Sequence, residues 1–152
     1  MRARDLAGPY PVVTVDDDAQ EAGRLIARER LPALLVVDQE GYPYAIVPAA
    51  QVIRTLVPQY VLEDPILAAV VDDRFDDEPR EAVRGRSVAE WLPRGRLIPG
   101  VVGPDVSPMH IAALMARKDC PVVAVIEREG DKVTLIGAVT ADAVLDHFIG
   151  GP

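Results

Sequence analysis

Leu114-Met115-Ala116-Arg117-Lys118-Asp119-Cys120-Pro121-Val122-Val123-Ala124-Val125-Ile126-Glu127 repeats Leu25-Ile26-Ala27-Arg28-Glu29-Arg30-Leu31-Pro32-Ala33-Leu34-Leu35-Val36-Val37-Asp38 at an offset of 89 positions. Leu25, Ala27, Arg28, Pro32 and Val36 return as Leu114, Ala116, Arg117, Pro121 and Val125. Upstream, Val12-Val13 returns as Val101-Val102 and Asp16 as Asp105. A repeat of this length decides the architecture before any other signal, because each copy is one structural unit that leans on its neighbour.

Each copy reads as a helix followed by a buried strand. Ala22, Leu25 and Ile26 stand at i, i+3, i+4 and share one helical face. Pro32 stops that helix. Leu34-Leu35-Val36-Val37 is uninterrupted and apolar, which predicts a strand covered on both faces. Working outward, Val12-Val13-Thr14-Val15 is a short strand, and Asp16-Asp17-Asp18 a helix start whose carboxylates suit exposed backbone N–H groups. Gln39-Glu40-Gly41 makes a hairpin turn into a strand at Tyr44-Ala45-Ile46-Val47. A second helix is expected to bury Val52, Ile53 and Leu56.

The second copy runs the same programme. Ser107-Pro108 starts its helix; Ile111, Leu114 and Met115 replace Ala22, Leu25 and Ile26; Glu129-Gly130 turns into a return strand at Lys132–Val139. This hairpin is longer, so the offset becomes 92, yet Val144, Leu145 and Phe148 still fall where Val52, Ile53 and Leu56 fell. The fold class is therefore α/β (α+β): two tandem β-α-β-β-α units related by a pseudo-twofold axis. The expected divisions are a first unit at 1–57, a partly helical acidic connector at 58–86 and a second unit at 87–152. In the connector, Asp64-Pro65 and Glu78-Pro79 suit helix starts. The stretch Val61–Val71 is apolar enough to be expected to pack on the repeats. Ser87-Val88-Ala89-Glu90 has capping-box spacing and predicts a short helix burying Val88, Trp91 and Leu92. Residues 1–11 read as a lead-in.

Among 152 residues the net charge is −8, which argues against a nucleic-acid partner. Acid gathers at Asp64, Asp72-Asp73 and Asp76-Asp77-Glu78 without the alternating ligands and glycine of a calcium loop, so it reads as a solvated connector. No apolar run reaches membrane-spanning length. Met1-Arg2-Ala3-Arg4-Asp5 lacks the apolar core of a signal peptide. One cysteine allows no internal disulfide, and a reducing cytoplasm is the expected setting. Cys120 takes the place of Leu31 and reads as a small buried hydrophobe. His110 and His147 have no metal-ligand spacing, so no metal site is expected. Nucleophile elbow, P-loop and dinucleotide fingerprint are all missing from the sequence, and no enzyme is expected.

The tandem of strand-helix-strand-strand-helix units, with Gly137-Ala138-Val139-Thr140-Ala141-Asp142 at the junction to the last helix, resembles the CBS domain, named after cystathionine beta-synthase. Asp38-Gln39-Glu40-Gly41 and Glu127-Arg128-Glu129-Gly130 are similar to the family's acidic-to-glycine hairpin. Two such domains in one chain look like the paired Bateman module. That resemblance implies two clefts and a ligand of the AMP, ADP, ATP or S-adenosylmethionine kind. It also implies a regulatory role toward another protein, and a homodimer built through helices of both units.

The resemblance implies site residues position by position. Thr140 matches the family threonine, whose hydroxyl and neighbouring helix-start amides hold phosphate. The family carboxylate three residues later is Ala143 here, with Asp142 one position earlier; in the first copy Pro48 replaces the threonine and Gln51 the carboxylate. The expected base-enclosing elements around Thr140 are Ile98-Pro99 and Cys120-Pro121. Those of the first copy are Tyr10-Pro11 and Leu31-Pro32, with Gln51 able to hydrogen-bond a ribose without charge. The expected cleft in use is the one at Thr140, because Pro48 offers neither hydroxyl nor N–H. The alternative is a dimerising or partner-binding scaffold with degenerate clefts.

Overall fold

The computed structural model describes residues 1–70, 77–92 and 99–151. In chain order the elements are α1 (Ala3–Leu6), β1 (Val12–Thr14), α2 (Ala19–Glu29), β2 (Ala33–Val37), β3 (Pro43–Pro48), α3 (Ala49–Leu56), α4 (Gln59–Glu63), α5 (Pro65–Val70), α6 (Asp77–Val83), α7 (Val88–Trp91), β4 (Val101–Val102), α8 (Pro108–Lys118), β5 (Val122–Glu129), β6 (Lys132–Thr140) and α9 (Ala141–Ile149). They build two three-stranded sheets, β1-β2-β3 and β4-β5-β6, each with a parallel pair followed by an antiparallel hairpin. This is the tandem β-α-β-β-α architecture expected from the repeat.

The repeat holds at the level of backbone irregularities. Register shifts fall between Val36 and Val37 in one sheet and between Val125 and Ile126 in the other. Both α2 and α8 end on a non-glycine residue in the left-handed region, Arg30 (φ 53°) and Asp119 (φ 50°). Asp18 and Ser107, at equivalent positions, cap the two helices by accepting from the N–H of Glu21 and His110.

Alternation in β2 and β5 sorts their side chains into layers. Leu34 and Val36 join Val13, Ala22, Val47 and Val52 under the helices of the first unit. Val123 and Val125 do the same with Val102, Ile111, Val139 and Val144 in the second. The opposite faces, Ala33, Leu35 and Ile46 from one sheet and Val122, Ala124 and Ala138 from the other, form a third cluster in which the two units meet. Both faces of β2 and β5 are thus covered, which is why their sequence shows no polar alternation.

The lead-in holds a finding that the sequence reading missed. α1 crosses to the second unit, where the N–H groups of Ala3 and Arg4 donate to the carbonyls of Val106 (3.0 Å) and Pro104 (2.9 Å). α7 crosses the other way, Val88 and Ala89 donating to Asp17 (2.8 Å) and Val15 (3.0 Å). Arg2 N–H bonds the Asp5 carboxylate as Ser87 N–H bonds Glu90. Residues 2–5 are therefore the counterpart of 87–90, and the two units exchange their lead-in helices. Ala3 is fully buried in the second unit's core; Val88 and Trp91 are buried in the first's. Past α1 the chain runs along β6, with Gly8 and Ala138 exchanging two 3.0 Å backbone hydrogen bonds. A Cβ on Gly137 would sit 2.5 Å from the Gly8 carbonyl, so glycine is required at that crossing.

Two expectations about burial need correcting. Ile53, Leu145 and Phe148 are exposed, while Val52 and Val144 are buried. Adjacent helical positions lie about 100° apart, and α3 is turned so that Val52 faces the sheet and Ile53 the solvent. In the connector, Leu62, Ile66 and Val70 are exposed instead of packed on the repeats, because α6 (Val83) and α7 already close the first unit's core. Val71, Asp72-Asp73 and Asp76 lie outside the described residues.

Candidate functional site

At the end of the first unit's hairpin, the chain passes from β3 into α3 through Pro48, and a cleft of about 340 Å³ opens against the second unit. Ile46, Pro48, Ala50 and Gln51 form one wall; Pro99, Gly100, Lys118, Asp119 and Cys120 form the other. Each wall has a local cause. Gly100 sits close beneath Leu114 and Val123, where a Cβ would press to 3.2 Å on the Leu114 side chain. Asp119, in the left-handed conformation, ends α8 and turns the chain so that Cys120 and Lys118 face the cleft before Pro121 leads into β5. The start of α3 is fixed by a 3.0 Å bond from Ala49 N–H to the Pro32 carbonyl, and that of α9 by a 2.9 Å bond from Ala141 N–H to the Pro121 carbonyl.

The cleft therefore joins elements of both copies, which the repeat alone had kept apart. Pro99 and Cys120 were expected around Thr140; they face Pro48 and Gln51 instead. Pro121 does reach the Thr140 end, through its carbonyl bond to Ala141, and Pro32 reaches the Pro48 end in the same way. Ile98 lies outside the described residues. Tyr10 belongs to the cluster containing Ala138, beside the lead-in's crossing of β6. Under the pseudo-twofold, Tyr10 and Leu31 correspond to Pro99 and Cys120, and neither lines the cleft at Gln51.

The two ends differ chemically. Ala50 and Gln51 stand in the first turn of α3, and the N-cap Pro48 has no side chain to satisfy the helix-start amides. Gln51 adds an amide able to donate and accept, and Lys118 and Asp119 supply one charge of each sign on the opposite wall. At the other end the Thr140 hydroxyl donates to the Asp142 carboxylate. The first helical amide is bonded at both ends, Ala49 to the Pro32 carbonyl and Ala141 to the Pro121 carbonyl, so it does not distinguish them. Burial raises the Cys120 thiol pKa above its ordinary value, and its Sγ lies 3.5 Å from the Val122 carbonyl. Burial likewise raises Tyr10, whose hydroxyl donates to the Ala33 carbonyl at 2.5 Å. Tyr10 thus braces the first residue of β2.

Lys118 and Asp119 were absent from the sequence-derived site. The available signal was the recurrence of Arg30 at Asp119, a polar residue between helix and proline in both copies. Among the described residues no group of three or more His, Cys, Asp or Glu is placed to hold a metal ion. No described helix is long and apolar enough to cross a membrane.

Comparison with known proteins follows the same lines. The family model for the CBS domain matches residues 3–58. A CBS domain-containing protein of unknown function from Kribbella flavida is 41% identical over 98% of this chain and 99% of its own, with a TM-score of 0.80. CBSX2, solved in complex with AMP, is 17% identical over 96% of this chain and 94% of its own, with a TM-score of 0.65. The CBS domain of a bacterial CNNM/CorC family Mg2+ transporter, solved in complex with ATP, is 14% identical over 100% and 89%, with a TM-score of 0.62. At those identities the latter two share the fold alone. No curated protein matches the chain.

Proposed function

The chain belongs to the CBS domain family, and from that premise we propose that it is a regulatory module that binds an adenosine-containing ligand of the AMP, ADP or ATP class and passes its occupancy to a partner protein. The observation that carries this reading is the cleft between the units, whose volume of about 340 Å³ falls in the range of small-molecule sites. Its walls suit the parts of a nucleotide. Pro48, Pro99 and Cys120 offer apolar surface to a base, Gln51 a neutral hydrogen-bonding group to a ribose, and the uncapped first turn of α3 backbone N–H groups to a phosphate. The related folds solved with AMP and ATP support the ligand class. The proposed role is regulatory and not catalytic, in a homodimer, with no resident cofactor.

The proposed ligand sits at the Gln51 end and not at the Thr140 end, a reading supported by the cleft that Pro48, Gln51, Pro99 and Cys120 line. With net charge −8 and Lys118 the one cation among the described residues that line this cleft, AMP or ADP is favoured over ATP. The test is calorimetric titration of AMP, ADP and ATP into wild type, Gln51→Ala and Thr140→Val. A neutral hydrogen bond contributes about 0.5–1.5 kcal/mol, so Gln51→Ala is expected to weaken AMP binding about twofold to tenfold, with Thr140→Val unchanged. Weakening by Thr140→Val alone would return the ligand to the end expected from sequence. Absence of binding by wild type at millimolar concentration would leave the scaffold reading.

A further inference from the structure

The repeat gives each residue of the cleft at Gln51 a counterpart in the other half of the molecule. Ile46 and Pro48 answer to Ala138 and Thr140, and Pro99 and Cys120 to Tyr10 and Leu31. Two of these exchanges are opposite in size. The Gln51 cleft has isoleucine on its strand and proline on the facing wall. The other half has alanine on the strand and tyrosine in place of the proline. The two substitutions meet in space. Tyr10 packs on the cluster that contains Ala138, and Ala138 lies on the same face of β6 as Thr140, two residues before it.

The Tyr10 hydroxyl occupies a particular piece of main chain. Ala33, the first residue of β2, lies opposite Pro48, and the next bond along runs from Ala49 N–H to the Pro32 carbonyl. That pattern makes Ala33 and Pro48 a non-hydrogen-bonded pair, so the Ala33 N–H and C=O face away from β3. On that side β1 begins only at Val12, opposite Leu35, and does not reach Ala33. Tyr10 takes both groups instead, its hydroxyl donating to the Ala33 carbonyl (2.5 Å) and accepting from the Ala33 N–H (3.4 Å). A donor and an acceptor side by side on an open strand edge suit a planar ring that carries one of each. The counterpart of Ala33 is Val122, where no hydroxyl arrives. Among the described residues the polar side chain on its carbonyl is the Cys120 thiol, a weak donor at 3.5 Å.

We propose that Tyr10 is a built-in occupant of the cleft at Thr140, its ring in the space a ligand's base would take and its hydroxyl on the Ala33 main chain, so that the module takes its ligand in one cleft only. The proposal rests on the reading that these clefts take an adenosine-class ligand, and adds the residue that sets the stoichiometry. The lead-in keeps the ring in place. Pro9 and Pro11 restrict the backbone on either side of Tyr10. Gly8 is tied to Ala138 by two 3.0 Å bonds, and Ala3 and Arg4 are bonded to the second unit farther upstream. A group tethered this closely competes with a free ligand as though present at about millimolar concentration or more.

The test is calorimetric titration of AMP into wild type and Tyr10→Ala, with far-UV circular dichroism as the control for folding. The expected result is one equivalent per wild-type chain and one more in Tyr10→Ala. Adding Thr140→Val to Tyr10→Ala is expected to weaken the added site alone by about tenfold, and adding Gln51→Ala to weaken the other alone. Phenol, which replaces the missing ring, is expected at millimolar concentration to raise the melting temperature of Tyr10→Ala and not of wild type, and to compete with AMP for the added site. If Tyr10→Ala does not fold, Tyr10→Leu carries the same measurement, since it keeps apolar volume in the cluster while vacating the Ala33 edge. Two equivalents in wild type, or no added equivalent in a folded variant, would overturn the plug. A wild type that binds no AMP beside a variant that binds one equivalent would overturn the Gln51 reading and leave the plug standing.

Discussion

Leu34 and Leu35 are adjacent in β2 and both fully buried, yet they serve different cores. Leu34 packs with Trp91 and Val88 under the first unit's helices, whereas Leu35 sits between the sheets with Val122, Ala124 and Ala138. Truncation of buried leucine to alanine costs about 2.7–5 kcal/mol, and the spread reflects how far the site collapses. Around Leu35 the neighbours include Ala33, Ala124 and Ala138, short side chains on strands whose spacing is set by hydrogen bonds. They cannot move in to fill the void, so Leu35→Ala is expected near the top of that range. Leu34 lies against helices that can shift, so Leu34→Ala is expected near the bottom. For a chain of this size 1 kcal/mol corresponds to about 2–4 °C, which puts the losses at about 10–20 °C and about 5–10 °C respectively. The assay is urea and thermal unfolding followed by Trp91 fluorescence and by far-UV circular dichroism. Trp91 is carried by the second unit's lead-in but buried in the first unit's core, so the two signals are expected to coincide in wild type. A fluorescence transition separated from the dichroism transition would refute the shared core. So would a Leu35→Ala cost under about 1 kcal/mol.

The equivalent helix caps are far apart in sequence and belong to different sheets. Asp18→Ala and Ser107→Ala are each expected to cost about 1 kcal/mol, adding in the double variant, measured as urea midpoints. The Trp91 indole N–H is buried with no hydrogen-bond partner among the described residues. Trp91→Phe removes an unpaired donor that costs about 1–3 kcal/mol, so despite the lost ring volume its net destabilisation is expected below about 1 kcal/mol; a loss above about 3 kcal/mol would show that the N–H is satisfied. Cys120, its thiol pKa raised by burial, is expected to alkylate more slowly than a free thiol at neutral pH and faster as pH rises, read by mass spectrometry. With the folded value above the unfolded one, the unfolded chain loses its proton first. Cys120 therefore contributes stability below the ordinary thiol range that is lost as pH climbs through the raised value.

The architecture was legible because its signals are local and occur twice. Helix periodicity, the stopping prolines Pro32 and Pro121, and the unbroken apolar strands all recur at one offset, each copy checking the other. The exchange of α1 and α7 was not legible. Arg2-Ala3-Arg4-Asp5 shares almost no side-chain chemistry with Ser87-Val88-Ala89-Glu90, and their equivalence lies in backbone bonds to the opposite unit. The cleft failed to read for the same reason. A repeat groups Cys120 with Thr140 because both stand in one copy, whereas packing across the pseudo-twofold sets Cys120 opposite Gln51. The exposure of Ile53, Leu145 and Phe148 was half legible: apolar content beyond one core's need was visible, but which positions stay exposed depends on how each helix is turned on its sheet.

Gly8 and Gly137, pressed together where the lead-in crosses β6, bear on the history of the chain. A chain of half this length, carrying one lead-in helix and one sheet, would have no partner for the N–H groups of that helix within itself. It could satisfy them only by trading helices with a twin, each arm reaching over the other's sheet. Duplication and fusion of such a gene would freeze the twin pair into one polypeptide and release its two arms from identity. One arm could then keep small residues and thread past a glycine, while the other acquired a tryptophan.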